Sequence, residues 1–256
     1  MSIATPSPVG RELRQWRLRR RLTQLALSEQ AGISTRHLSF IETGRTRPSP
    51  DVIVKLAEQL EVSLDEQNNL LLAGGYAPRH PRRAPDDRDL APVMDGLRTL
   101  LDAHEPFPAL LMDDHWDVID ANSATDVLLH GCAPALLEPP VNVLRLTFHP
   151  AGLAPRIINL DQWAARLIHQ LAQRLRSSTD PRLAELFDEI TDYVPAGTPA
   201  PADGPVLTLN MRHGDSVLRL VSVAARIENA QDITLDALHL ETFLPADAAT
   251  RALLTR

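Results

Sequence analysis

Arg36, Ser39 and Phe40 fall within about one turn of a short segment striped with Leu38 and Ile41, and Arg45 and Arg47 follow directly, in LTQLALSEQAGISTRHLSFIETGRTR over residues 22–47. A guanidinium such as that of Arg36 matches the O6 and N7 acceptors of guanine as a bidentate pair, and an apolar ring such as Phe40 suits a thymine methyl. Arg45 and Arg47 carry the charge that suits phosphate oxygens, which fix position without carrying sequence information. These residue types at this spacing point to the reading of double-stranded DNA.

Two helices and a tight turn must position them. Thr23 is placed to cap a helix from Gln24 to Ala31, with Leu27 turned inward and Gly32 supplying the positive φ that ends it. Ser34 caps the second helix, whose Leu38 and Ile41 face the first. Thr35, Arg36, Ser39 and Phe40 are left on the other side, where a recognition helix enters the major groove. Gln24, at the start of its helix, joins Arg45 and Arg47 as the expected phosphate contacts, and Ser34 completes the DNA-binding set. Around this pair, 8–21 carries Val9, Leu13, Trp16 and Arg17 at helical spacing, 50–60 repeats the pattern, and 64–73 adds a helix stopped by Gly74 and Gly75. The expectation for residues 1–76 is an all-α, five-helix domain.

Charge separates this domain from the rest. Residues 1–83 hold 13 Lys and Arg against 8 Asp and Glu, whereas 84–256 hold 13 against 25, so a net −7 conceals a basic head and an acidic body. APRHPRRAPDDRDLAP, residues 77–92 with four prolines, marks a linker over 77–91. A second domain is expected over 92–256. The arginine-rich start lacks the apolar core of a secretory signal, and no run reaches the length of a membrane span, so the expected location is the cytoplasm. Lone Cys132 excludes an intrachain disulfide, and no HxxxH pair, GxSxG elbow or phosphate-cradling loop occurs. Catalytic residues and metal ligands are therefore expected to be none.

The acidic part mixes periods. Helices are expected at 93–104, 140–148, 160–175 and 181–190, with a short one capped by Asn122 or Ser123. Strands are expected at 109–113, 116–121, 206–211, 216–225 and 235–244, with a loop at 196–205. Five strands with helices after the second make an α+β domain with an antiparallel sheet covered on one face. Space between such layers would be lined by Leu110, Met112, Val118, Leu144, Phe148, Trp163, Leu167, Val221 and Leu240, although ordinary core is the commoner role of each such residue. Asn142, Arg145 and His149 recur at three- and four-residue spacing and could offer donors to a polar head group, the alternatives being a surface pairing of Arg145 with nearby acids and a helix C-cap for His149.

TQ-x-x-L, the Gly-Ile-Ser turn and LSFIETGRTRPS, in register, resemble the Cro and lambda-repressor type of helix-turn-helix, the XRE family. Ser28 stands where that family usually has Ala, at the close crossing of the two helices. LLMDDHWDVIDAN, NVLRLTFHPAGLAPRIINL and DITLDALHLETFLPADAAT resemble the ligand-binding domain of MmyB-like transcription regulators. AARIENAQDIT at 224–234 lacks the Phe-Gly-Thr-like turn common there. The resemblance implies a PAS-like second domain that binds small, largely apolar molecules, with fatty-acyl chains as leading candidates and no dedicated cofactor. A single recognition helix reads few base pairs, so a homodimer on a two-half-site operator is expected. The alternative is a second domain that only dimerises or receives a protein partner.

Overall fold

The computed structural model describes residues 8–194 and 205–255, so the loop expected at 196–205 lies outside the described residues except for its last proline. The chain divides into two compact units. The first runs to Arg82 and also counts Arg176–Thr179 and Ala230–Asp236, and the second holds the remainder.

Five helices make the first unit: α1 (Pro8–Arg19), α2 (Gln24–Gln30), α3 (Thr35–Glu42), α4 (Pro50–Gln59) and α5 (Leu64–Ala73). Hydroxyls set their starts. Thr23, Ser34, Ser49 and Ser63 accept from the amides of Ala26, His37, Val52 and Glu66, satisfying donors that a helix start leaves free. Gly32, at φ 65°, makes the turn between α2 and α3. The first helix ends two residues before the expected Arg21, and Arg21 itself takes the left-handed conformation at φ 56°. Leu13, Leu27, Leu38, Ile41, Ile53, Leu56, Leu60 and Leu70 are fully buried together, and Trp16 joins them.

The second unit is built from α6 (Ala91–Ala103), β1 (Ala109–Met112), β2 (Val118–Ala121), α7 (Asp126–Leu129), α8 (Val143–Phe148), α9 (Leu160–Ser177), α10 (Pro181–Tyr193), β3 (Leu209–His213), β4 (Ser216–Arg226), β5 (His239–Pro245) and α12 (Ala248–Leu254); α11 (Ile233–Ala237), which lies between β4 and β5 in sequence, falls, but for its last residue, in the segment counted with the first unit. The strands form one antiparallel sheet in the order β2-β1-β5-β4-β3. Leu110, Met112, Leu209, Met211, Leu218, Leu220 and Phe243 share one face and close a buried cluster with Leu144, Phe148, Trp163, Leu167 and Leu171. Leu111 and Leu240, partners in the register of β1 and β5, lie on the other face; α6 contacts β1 and β2, and α12 contacts β4 and β5.

Several boundaries differ from expectation for local reasons. The helix expected from residue 140 starts at Val143 because Asn142 caps it, accepting from the amides of Leu144 and Arg145. Trp116 leaves the second strand: it is left-handed at φ 61°, in a turn closed onto Asp113. Asn122 does not cap a helix with its side chain. Its amide instead receives Ala109 N and donates to the carbonyls of Leu101 and Phe107, tying the end of α6 to the sheet. The strand expected from Val206 begins at Leu209. The segment 235–244 is no single strand, since Leu235 belongs to α11, and the capped helix α12 was not expected at all.

Candidate functional site

The two helices of the motif are held by polar contacts as well as by apolar ones. Ser28 is 1 % exposed, and its hydroxyl meets both Leu25 O and the Thr35 hydroxyl at 2.9 Å, so the extra oxygen at the helix crossing is satisfied. Thr35 therefore faces α2, not the open side on which the spacing placed it. Glu42, at the end of α3, takes Arg17 of α1 as a bidentate partner at 2.6 and 2.9 Å and the Gln24 amide at 2.7 Å. The Gln24 side chain is thus engaged within the motif.

What remains outward on α3 is compact. Arg36 and Arg45 are exposed, and their guanidinium carbons lie 5.2 and 5.7 Å from the ring centroid of Phe40, so one aromatic ring lies within cation–π range of two cations. Ser39 is half-buried beside them, and Ser34 keeps its hydroxyl on the cap. Arg47 is placed differently from Arg45: it donates to Gly74 O at 2.7 and 3.0 Å and to Gly75 O, and stacks on Tyr76 at 4.6 Å. It closes the end of α5, a role the sequence reading did not give it. Arg79 and Arg82 pair with Asp51 and Asp65 on the surface.

In the second unit Leu110, Met112, Leu144, Phe148, Trp163 and Leu167 are buried in one cluster, with Val118 packed at its border. Val221 and Leu240 do not join them, because the register of β4 and β5 puts both on the opposite sheet face. The three polar candidates also separate. Asn142 is consumed by its cap and by bonds to His115 O and Asp117. Arg145 is held on the surface by a bidentate pair with Glu189 that raises its pKa, and His149 accepts from Ala151 N beside Tyr193.

Sequence reasoning missed a second polar group, on the inner face of the sheet beneath α9. Arg166 and Arg174, two helical turns apart, face Ser222, Glu241 and His239 of β4 and β5. Arg174 lies 4.0 Å over Trp116, donates to Asp114 O at 2.7 Å and to His239, and burial pushes its pKa down to about 10 against the pull of Asp114. Burial, together with the Arg174 charge, depresses His239 to about 3, so its imidazole is neutral. His115 stands between Asp113 and Asp180, with Nε2 2.7 Å from Asp180. The Asp113 bond raises its pKa against partial burial, and Asp180 adds to the rise. Among the described residues no group of three potential metal ligands clusters, and no helix is long and apolar enough to cross a membrane.

Fold and site together define a helix-turn-helix unit followed in the chain by an α+β domain with an antiparallel sheet. Comparison with known proteins agrees: residues 93–256 match the family of the MmyB-like transcription regulator ligand binding domain, and residues 13–67 match a helix-turn-helix family. The chain belongs to the MmyB-like transcription regulators. It is also similar to an uncharacterized HTH-type transcriptional regulator, RghRB, of Bacillus subtilis (strain 168), with 41 % identity over 76 residues, which are 29 % of this chain and 52 % of that protein. The chain thus spans about half the length of that curated relative.

Proposed function

We propose that the chain is a sequence-specific DNA-binding regulator, acting as a homodimer, whose affinity for its operator is modulated by a small apolar ligand, a fatty-acyl compound being the leading candidate. The observation that carries the DNA half is the outward group on α3, where Arg36 and Arg45 flank Phe40 on an exposed face. The ligand half rests on family membership and on an α+β domain whose helices sit between its second and third strands, the arrangement a PAS-like reading expects. Val223 and Leu244, 47 % and 40 % exposed on the sheet face away from the buried cluster, support pairing of two copies.

Arg36→Ala should cost about 1–3 kcal/mol at the operator and relax preference at one base pair in a site selection. An unchanged preference would remove α3 as the reader. Arg45→Ala should weaken all DNA sites alike and reduce the slope of log K against log salt by roughly 0.9. Arg47→Ala, by contrast, should lower stability and leave the slope unchanged, because its guanidinium closes α5. For the ligand, operator binding by the full chain, delipidated beforehand, is titrated against fatty acids of varied length. Coupling of about 1–3 kcal/mol is expected. Binding without any change in operator affinity would leave a domain that only dimerises or receives a partner.

A further inference from the structure

Strand β4 outruns its neighbour on one side. Its residues 216–220 pair with β3 and 220–226 with β5, but β3 begins at Leu209, the partner of Leu220. The chain ahead of β3 has already turned away, with Thr208 O accepting from Asn159 Nδ2 at 2.8 Å. In an antiparallel ladder the backbone groups of successive residues alternate between the two sides of the strand. Ala246 N donates to Arg219 O, which turns 219, 221, 223 and 225 towards β5 and leaves the N–H and C=O of Ser222 and Ala224 directed to the bare side. Among the described residues neither has a backbone partner there, and Val223, Ala224 and Ala225 are exposed.

An open row of this kind is a template for another strand, and edges that must stay single are blunted by proline, lysine, a bulge or an inward charge. The sequence VSVAA at 221–225 has no proline and no charge, and its register with β5 is regular. The arginines that flank it are matched within the chain, Arg219 by Asp247 at 3.2 Å and Arg226 by Asp114 at 3.0 Å. A neutral strip on an acidic body is where two copies can meet without like-charge repulsion, and it offers nothing to select DNA or a charged peptide. Pro195, Pro199, Pro201 and Pro205 remove amide donors from the chain's own stretch ahead of β3, so that stretch cannot supply a regular ladder.

We propose that the bare edge of β4 pairs antiparallel with the same edge of a second copy, joining two five-stranded sheets into one across a twofold axis close to Ala224. This names the surface of the homodimer proposed above and rests on that reading. An antiparallel edge is its own complement under a twofold axis, so the outward N–H and C=O groups of Ser222 and Ala224 meet the same row in the other copy. An axis near Ala224 keeps the incoming strand clear of β3, which fills that side from Leu220 back towards Ser216. Val221 is the register partner of Leu244, and Val223 lies diagonally beside it, so an apolar patch on the outer sheet face runs up to the edge and continues across the axis.

The test is sedimentation of the full chain at micromolar concentration together with residue-resolved hydrogen exchange. Wild type should sediment as a dimer, and the Ser222 and Ala224 amides should exchange slowly in the dimer and faster once dilution dissociates it. Ala224→Pro removes an outward amide that the ladder with β5 does not use, and Val223→Lys sets two like charges close to the axis. Each should weaken dimerisation about tenfold or more. Val223→Lys changes an exposed position and carries the test should Ala224→Pro fail to fold. A dimer in which the two amides exchange as fast as in the monomer, or which Val223→Lys leaves intact, overturns the edge assignment and leaves the homodimer reading standing on another surface. A wild type that stays monomeric overturns both.

Discussion

Glu42→Ala should destabilise the first unit by about 3–5 kcal/mol, because it strands a buried guanidinium. Arg17 is 7 % exposed and gives Nε and Nη2 to the two Glu42 oxygens, and the Gln24 amide adds a third bond. The carboxylate joins α1, the start of α2 and the end of α3, so its loss removes the polar tie between the end of α3 and the other two helices. Removing the pair as a unit should behave differently. Arg17→Met with Glu42→Leu keeps the volume apolar and should recover most of the loss, since two desolvated charges roughly offset their own attraction. Native-state hydrogen exchange of α1 and α3 amides reads this unit separately from the other. A cost for Glu42→Ala below about 1 kcal/mol, or a double variant as unstable as the single one, would show that the pair does not bear on the fold in this way.

How much of this was legible in the sequence depended on range. Thr23, Ser34 and Gly32 act within four residues of themselves, so the helix-turn-helix could be placed from its letters, and the structure departs there at Thr35, whose hydroxyl turns to Ser28 seven residues away, and at Gln24, whose amide goes to Glu42. The five strands were likewise visible, but not which way they face. In β4, Val217, Val221 and Val223 alternate with Leu218, Leu220 and Ser222, so both faces carry apolar side chains, and only pairing with β5 decides that Leu218 and Leu220 are inside. Leu240 was misplaced for the same reason. Arg166 and Arg174 look like the solvated face of an amphipathic helix until β4 and β5, more than 50 residues on, are brought beneath them. Arg145, by contrast, has good spacing with Asn142 and His149, but its partner Glu189 lies on α10, beyond any local pattern.

His239 should give the second unit a steep loss of stability in mild acid. Burial and the Arg174 charge hold its folded pKa at about 3, against an ordinary value of 6.5, so the folded state requires the neutral imidazole while the unfolded chain protonates readily. A depressed histidine contributes stability that is fully present above pH 6.5 and is lost as pH falls towards 3. At about 1.4 kcal/mol per pKa unit, the loss between pH 7 and pH 4 from this one residue is on the order of 3 kcal/mol. His115 works in the opposite sense. Its folded pKa is raised by Asp113 and Asp180, so its contribution is full below the unfolded value and disappears as pH rises through the folded one. Asp180, held at about 2 by Arg182 and His115 against its burial, begins to cost stability only below about pH 4. The window from pH 7 to 4 therefore belongs mainly to His239. His239→Gln keeps a neutral polar side chain beside Arg174 and should flatten that limb when urea unfolding is measured at pH 7, 5.5 and 4, whatever its effect on stability at pH 7. If the variant loses stability with the same slope as the wild type, His239 is not buried in its neutral form beside Arg174.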